Sequence, residues 1–541
     1  MRVLGVLLVW ALGILAQANQ IILVPLDSRP ASGQFAQMIG KVAAVDVRMP
    51  PYEFLGRFTS PGNPEAILKW LENYDMSQLT AVVVSTDMLA YGGLIESRTN
   101  SVSYDRAWGR IERLFALKRK WPKLKIYAFS SVMRLAPTAT RKAAPWRMSL
   151  AKFMELEDRT RRGKEQGLQA QMNASLKRVP SSEITRYRDT RWRNHKLQRA
   201  LVDAVQRKEL DYVVFGQDDA KKYGPHVPEN RALLSRVTNY GLGGKVFFCE
   251  GVDQLSNMLV SRAVLRQADV VPRIRIVYSD ESAAKKYAFY ESKPIFRALQ
   301  DQILAAGARP AKDDKDADYT LYVNAPDPND DSFSSFTQIL GLALDQGMPV
   351  AVADINLGGP GLADPRVFET IMQGERTDRI LAYAGWNTAG NTLGTVIPAA
   401  NMAMLARQGR VPDRMKAEIA RCEFLLHRLV NDFAYHHFTR PQAYRLIDSI
   451  PGASREETDS QSLASVNRFV QRDLAKYLRD YFADQFQGMR LEAGGSAMTI
   501  TSLDAVKVWL PWPRAYEVRL EFKLGATAIP TNNGTAQIKS N

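Results

Sequence analysis

Residues 212–229 read YVVFGQDDAKKYGPHVPE. An apolar run, Tyr212, Val213, Val214 and Phe215, ends at Gly216 and is followed by two adjacent carboxylates, Asp218 and Asp219. A short run rich in β-branched and aromatic residues, bounded by Gly, predicts a buried strand. Adjacent carboxylates repel unless a metal, a cation or a shared proton relieves them. In open α/β sheets and in barrels, ligands bind at the carboxyl ends of the strands. An Asp in this place also caps the next helix. With Tyr223, His226 and Glu229 close behind, both readings stay open for this segment.

The same pattern recurs. Residues 21–24 lead into Asp27 and Arg29, and residues 82–84 into Asp87, Tyr91, Gly92, Gly93 and, further on, Arg98. Residues 126–129 lead into Arg134, and 246–248 into Glu250 and Asp253. Residues 350–352 lead into Asp354 and Asn356, and 380–383 into Trp386, Asn387 and Asn391. Capping explains each acid separately. A polar site assembled from several strand ends explains why Arg, Tyr, Trp and Asn accompany them.

With 541 residues the chain is long enough for two to four domains. The first residues, MRVLGVLLVWALGILAQA, carry one charge at Arg2, a short apolar core and the small-x-small pattern Ala16-Gln17-Ala18. They read as a secretory signal peptide over residues 1–18, with an uncleaved anchor as the alternative. The expected location is therefore secreted or periplasmic, with no stable membrane span after cleavage. Two cysteines, Cys249 and Cys422, permit a disulfide without requiring one. The net charge of +15 is concentrated in residues 141–199. For an exported protein that basic excess suits anionic envelope polymers or an acidic substrate rather than nucleic acid, and a solvated helical face accounts for it equally.

Strand and helix patterns alternate from residue 19 to about 265, predicting a parallel sheet or barrel-like α/β region with right-handed crossovers. Strands fall near 21–26, 43–48, 81–86, 125–130, 212–217 and 245–250. Residues 137–209 are too long for a plain crossover and read as a helical insertion. A second set of strands near 273–278, 319–324, 349–353 and 380–384 predicts a flavodoxin-like layer over 266–410. Residues 411–541 read as a helical region ending in a short β-hairpin, where Pro511 and Pro513 force a bend. Trp512 and Arg514 there suit either a ring-shaped ligand or a Trp lodged between domains with an Arg stacked on it.

Neither Gly-rich segment, at 91–93 or 387–394, has a dinucleotide or phosphate-loop spacing. No Gly-x-Ser-x-Gly elbow occurs, and five histidines in no cluster argue against zinc. The acidic stretch 326–331 lacks ordered calcium-ligand spacing. No cofactor is expected, although a divalent cation on Asp27, Asp87 and Asp219 is open. Carboxylate chemistry is better supplied. Asp218, Asp219, Asp87 and Asp27 are the candidate catalytic residues and are expected to converge on one site. Asp218 as general acid, with Asp219 orienting the substrate, is one arrangement. Arg29, Tyr91, Arg98, Arg134, Tyr223, Glu229, Glu250, Asp253, Asp354, Trp386, Asn387 and Asn391 are candidate substrate contacts. Trp386 is expected to be partly exposed toward the Asp218–Asp219 pocket.

Five segments carry a resemblance: VPLDSRPAS (24–32), STDMLAYGGLIESR (85–98), FGQDDAKKYGPHVPE (215–229), AYAGWNTAGNTLGT (382–395) and LPWPRAYEV (510–518). Together they resemble the bacterial family catalogued as domain of unknown function 4127, over nearly the whole mature chain. The family implies a common set of segments and names no reaction. The Asp-Asp pair is also similar to that of some barrel-type hexosaminidases. The resulting expectation is an exported hydrolase using strand-end carboxylates on a small-molecule, glycan or glycan-like substrate. An extracellular solute-binding protein is the alternative, and the oligomeric state is open. The signal reading makes one direct prediction: the secreted protein begins at Asn19, which intact-mass spectrometry checks, and a membrane-associated chain retaining Met1 contradicts it.

Overall fold

The computed structural model describes residues 19–163, 167–357, 362–374 and 376–529. The predicted signal peptide and the last residues of the tail lie outside them. Six strands form the first sheet: β1 (Gln20–Val24), β2 (Asp46–Arg48), β3 (Leu79–Ser85), β4 (Ile126–Val132), β5 (Tyr212–Gln217) and β6 (Val246–Glu250). Their order is β2-β1-β3-β4-β5-β6, and every pairing is parallel. The sheet is open, so the barrel alternative falls. Period-two alternation accounts for its two buried faces. Ile21, Leu23, Ala81, Val83 and Val214 pack into one core, while Ile22, Val24, Val82, Val84 and Val213 pack into another.

The second sheet holds β7 (Arg273–Tyr278), β8 (Arg309–Pro310), β9 (Tyr319–Asn324), β10 (Val350–Asp354) and β11 (Ala382–Ala384). Its order, β11-β10-β9-β7-β8, is the flavodoxin-like order read from the other edge. The two sheets share a core through the helix Ala389–Arg407, which is buried along almost its whole length. That helix carries no charge before Arg407, and a helix without a charged face belongs inside.

The carboxyl-terminal part is more elaborate than a hairpin. The helix Arg414–Arg428 runs directly into a π-helical stretch, Leu429–Thr439, and then Arg440–Asp448. An antiparallel sheet follows, built from β12 (Arg490–Ala493), β13 (Ser496–Trp509) and β14 (Arg519–Ala528). These elements close the outer face of the second sheet, where Tyr322, Val350 and Val352 meet Leu426, Val470 and Leu520. Among the described residues no helix is long and apolar enough to cross a membrane. Cys249 and Cys422 are both free thiols and buried.

The insertion after β4 is helical, as expected, with helices Arg147–Arg162, Leu168–Leu176 and Ser181–Gln206. Its Arg193 braces the segment between β3 and β4 from within. Arg193 donates to the carbonyls of Ser97 and Val102 and lies 4.0 Å from the Tyr91 ring centroid.

One fully buried ion pair joins the π-helical stretch to the second sheet. Arg428 Nη1 meets Asp432 Oδ1 at 3.0 Å, and Asp432 Oδ2 accepts from the Gly385 amide at 3.0 Å. Burial raises the Asp432 carboxyl to about 6 against the opposing pull of Arg428. Removing one partner strands a buried charge. Asp432→Ala is therefore expected to cost about 3–5 kcal/mol of stability, read by chemical denaturation.

Candidate functional site

A cavity of about 360 Å³ lies over the carboxyl ends of the first sheet. Arg29 follows β1, Arg98 follows β3, Arg134 follows β4, Asp218 and Asp219 follow β5, and Asp253 follows β6; all of them line it. The β1–β3 boundary is where the strand order reverses, which is where open α/β sheets form their ligand crevice. Distant segments complete the walls: Tyr290 after β7, Asn387 after β11, Tyr444 and Arg455 from the helical region, and Trp512, Arg514 and Tyr516 between β13 and β14.

Each strand-end acid in the cavity is held by an arginine. Asp218 Oδ2 accepts from Arg98 Nη2 at 2.5 Å, and Asp219 pairs with Arg134. Arg29 bridges two acids, with Nη2 at 2.7 Å from Asp27 Oδ2 and 2.6 Å from Asp253 Oδ1. The adjacent acids of β5 differ in proton affinity. Burial raises Asp218, but the guanidiniums of Arg98 and Arg134 outweigh it and leave the carboxylate below its ordinary range. Burial raises Asp219, Arg134 opposes this only in part, and the charge on Asp218 adds to the rise. Of the two, Asp219 therefore has the higher proton affinity and suits the general-acid role better than Asp218, the acid of the arrangement expected from sequence. Asp253 is likewise raised by burial, against the pull of Arg29.

Asp27 lies behind the cavity wall, accepting from Arg29 and from the Ser32 hydroxyl at 2.9 Å. Asp87 does not line the cavity; it is buried, accepting from the Ser131 amide at 2.8 Å. Tyr91 is buried under Arg193. Glu229 pairs with Arg191 at 2.6 Å, and Arg191 in turn donates to the Met133 and Arg134 carbonyls, so Glu229 braces the loop that carries Arg134. Tyr223 meets Arg159 and Lys222 instead of the cavity. Glu250 is fully buried on the amide and hydroxyl of Ser292. Asp354 is fully buried on Asn324 and the Asp364 amide, in the second sheet.

Trp386 corrects an expectation. It is only 7% exposed, packed edge-on against Phe35 at 5.6 Å, with its indole N–H on Thr395 Oγ1 at 3.2 Å. The polar neighbours that suggested a ligand satisfy one another. Asn391 accepts from Asn387 at 2.8 Å and donates to Gln254 at 2.8 Å. The amide of Gly390, at the start of the following helix, donates to the Glu291 carboxylate. Asn387 does reach the cavity, at φ 56°, a left-handed backbone that Asn tolerates. Its side-chain carbonyl accepts from the Tyr516 hydroxyl at 2.7 Å.

Trp512 is 2% exposed, so it is the lodged Trp of the two readings. Its indole N–H donates to Ser28 Oγ at 2.9 Å, and Arg29 and Arg514 lie 4.9 and 4.8 Å from its ring centroid. Sequence reasoning missed Arg147, Tyr290, Tyr444 and Tyr516. No strand-end pattern marks them, and only Tyr516 sits in a segment already singled out.

The family described as a protein of unknown function, DUF4127, matches residues 21–521. This chain belongs to that family. All of the described cavity residues fall inside the matched span. No curated protein matches the chain, and no solved structure does. No group of three or more potential metal ligands occurs among the described residues; the acidic stretch after residue 326 instead opens a helix, with Asn329 capping Ser332 at 2.9 Å.

Two outcomes follow. Burial pushes Asp87 up to about 7, so the native state holds a proton that the unfolded chain releases near pH 4. Stability contributed by the protonated form is present below that range and lost as pH rises through 7. Asp87→Asn should therefore raise the melting temperature relative to wild type at pH 8 and much less at pH 5, checked by calorimetry at both. Trp386→Ala should cost about 3–5 kcal/mol, as for a core aromatic, measured by denaturant titration.

Proposed function

We propose that this chain is an exported hydrolase that cleaves a glycan or glycan-like substrate in the cavity at the strand ends. The observation that carries this reading is the split between Asp218 and Asp219: Arg98 and Arg134 hold one carboxyl below its ordinary range against burial, and burial raises its neighbour above it. Pairs of carboxyls pushed apart in this way divide acid and base roles. Asp219 donates its proton to the leaving-group oxygen as the glycosidic bond breaks. Asp253, the lining carboxyl that Arg29 pairs with, takes a proton from the attacking water. The fixed charge of Asp218 favours the positive character that develops at the anomeric carbon. Tyr290, Tyr444 and Tyr516 supply ring faces and hydroxyls, and the volume suits a small polar ligand.

The pairing of every lining strand-end acid with an arginine favours a second reading, a solute-binding protein without catalysis. One experiment separates them. Asp219→Asn is expected to lower turnover of a methyl-glycoside panel by about 100-fold or more, and of nitrophenyl glycosides, whose leaving group needs little protonation, by less, with melting within a few degrees and binding of the same glycosides kept. Wild-type protein that binds these glycosides and releases no nitrophenol contradicts the hydrolase reading and leaves the receptor in its place.

A further inference from the structure

The cavity is more cationic than its acids can balance. Among the described residues, six guanidiniums line it, from Arg29, Arg98, Arg134, Arg147, Arg455 and Arg514, against four carboxyl groups, from Asp218, Asp219, Asp253 and Glu456. Pairing accounts for most of them. Arg29, Arg98 and Arg134 hold lining acids, Arg514 pairs with Glu517 at 2.9 Å, and Arg455 with Asp448. Arg147 is left over. Its Nε donates to the Pro137 carbonyl at 3.2 Å, and among the described residues no carboxylate pairs with it. Glu456, on the exposed rim, bonds Ser454 at 2.9 Å.

Three further features sharpen the imbalance at this corner. Arg147 is the first residue of the helix Arg147–Arg162, so the positive end of that helix adds to its field. Burial, and after it the repulsion of Arg134 on the same wall, makes its charge harder to hold, against the weaker pull of Tyr290, Glu456 and Asp219. The Nε atoms of Arg98 and Arg134 are buried and have no partner among the described residues. A partly buried cation with unused donors next to a second guanidinium is costly, and a bidentate oxyanion relieves it.

We infer that the cavity selects a sugar ligand bearing an oxyanionic substituent, seated on Arg147 beside Arg134. The substituent is a carboxylate, as in a uronic acid, or a phosphate or sulfate ester; all three offer the paired oxygens that a planar guanidinium binds. This deepens the proposed function and rests on its cavity being the ligand site.

Titration calorimetry with digalacturonate, a disaccharide carrying a galactose 6-sulfate, a disaccharide carrying a galactose 6-phosphate and neutral galactobiose tests it. At least one anionic probe is expected to bind about tenfold or more tightly than galactobiose, the increment of a charge-assisted bidentate contact. The order among the three anionic probes tells which oxyanion the corner takes. Arg147→Gln should erase the preference and Arg147→Lys keep part of it, both melting with wild type. Failure of all the anionic probes to bind, equal binding of the neutral sugar, or a preference that survives in Arg147→Gln overturns the inference. Turnover of neutral glycosides without charge preference defeats this inference alone, and anion-selective binding without turnover defeats only the hydrolase reading.

Discussion

The Arg29 guanidinium is the contact on which the site depends. It joins the acid after β1 to the acid after β6, the latter 224 residues along the chain from Arg29 itself, and it lies over Trp512. Trp512 in turn donates to Ser28, 484 residues away. One planar cation therefore fixes the two outer walls of the cavity and the loop that closes it. Lysine has no equivalent, because a point charge cannot meet two carboxylates edge-on while stacking on an indole.

Such a lattice is expensive to bury. Desolvating several charges together is repaid only where geometry and hydrogen bonding are close to ideal. The molecule meets that condition by tying the β13–β14 loop down at many points. Arg57 donates to the Pro511 carbonyl at 3.0 Å, Tyr435 to the Ala515 carbonyl at 2.8 Å, and the Thr458 amide to the Pro513 carbonyl at 2.7 Å. The second sheet contributes Asn387, held in place through Gly385 and the buried Arg428–Asp432 pair. The cavity is thus a joint product of all three sheets, which suits a site whose charges must be aimed before a ligand arrives.

Much of the fold was legible because strand periodicity is local. Ile21 to Val24, Val82 to Val84 and Tyr212 to Phe215 announce strands by composition alone, and Asp218, Asp219 and Asp253 announce the edge on which the site sits. The partners were not legible. Nothing near Arg29 in sequence predicts Trp512, and Arg147 carries no signal that separates it from the many arginines of the insertion. Trp386 was misread for a related reason. Asn387, Thr388 and Asn391 look like ligand donors when read locally, but Gln254 and their own mutual bonds use them up. The same holds for Glu250 and Asp354, strand-end acids whose amide and hydroxyl partners come from elsewhere in the chain.

The most direct test of this account is amide hydrogen exchange on Arg29→Met, compared with wild type by mass spectrometry. If Arg29 ties the walls together, exchange should quicken in two separate segments, residues 251–256 and 510–518, while β3, β4 and β5 keep their protection. Faster exchange confined to residues 25–33, or spread evenly over the first sheet, would contradict it.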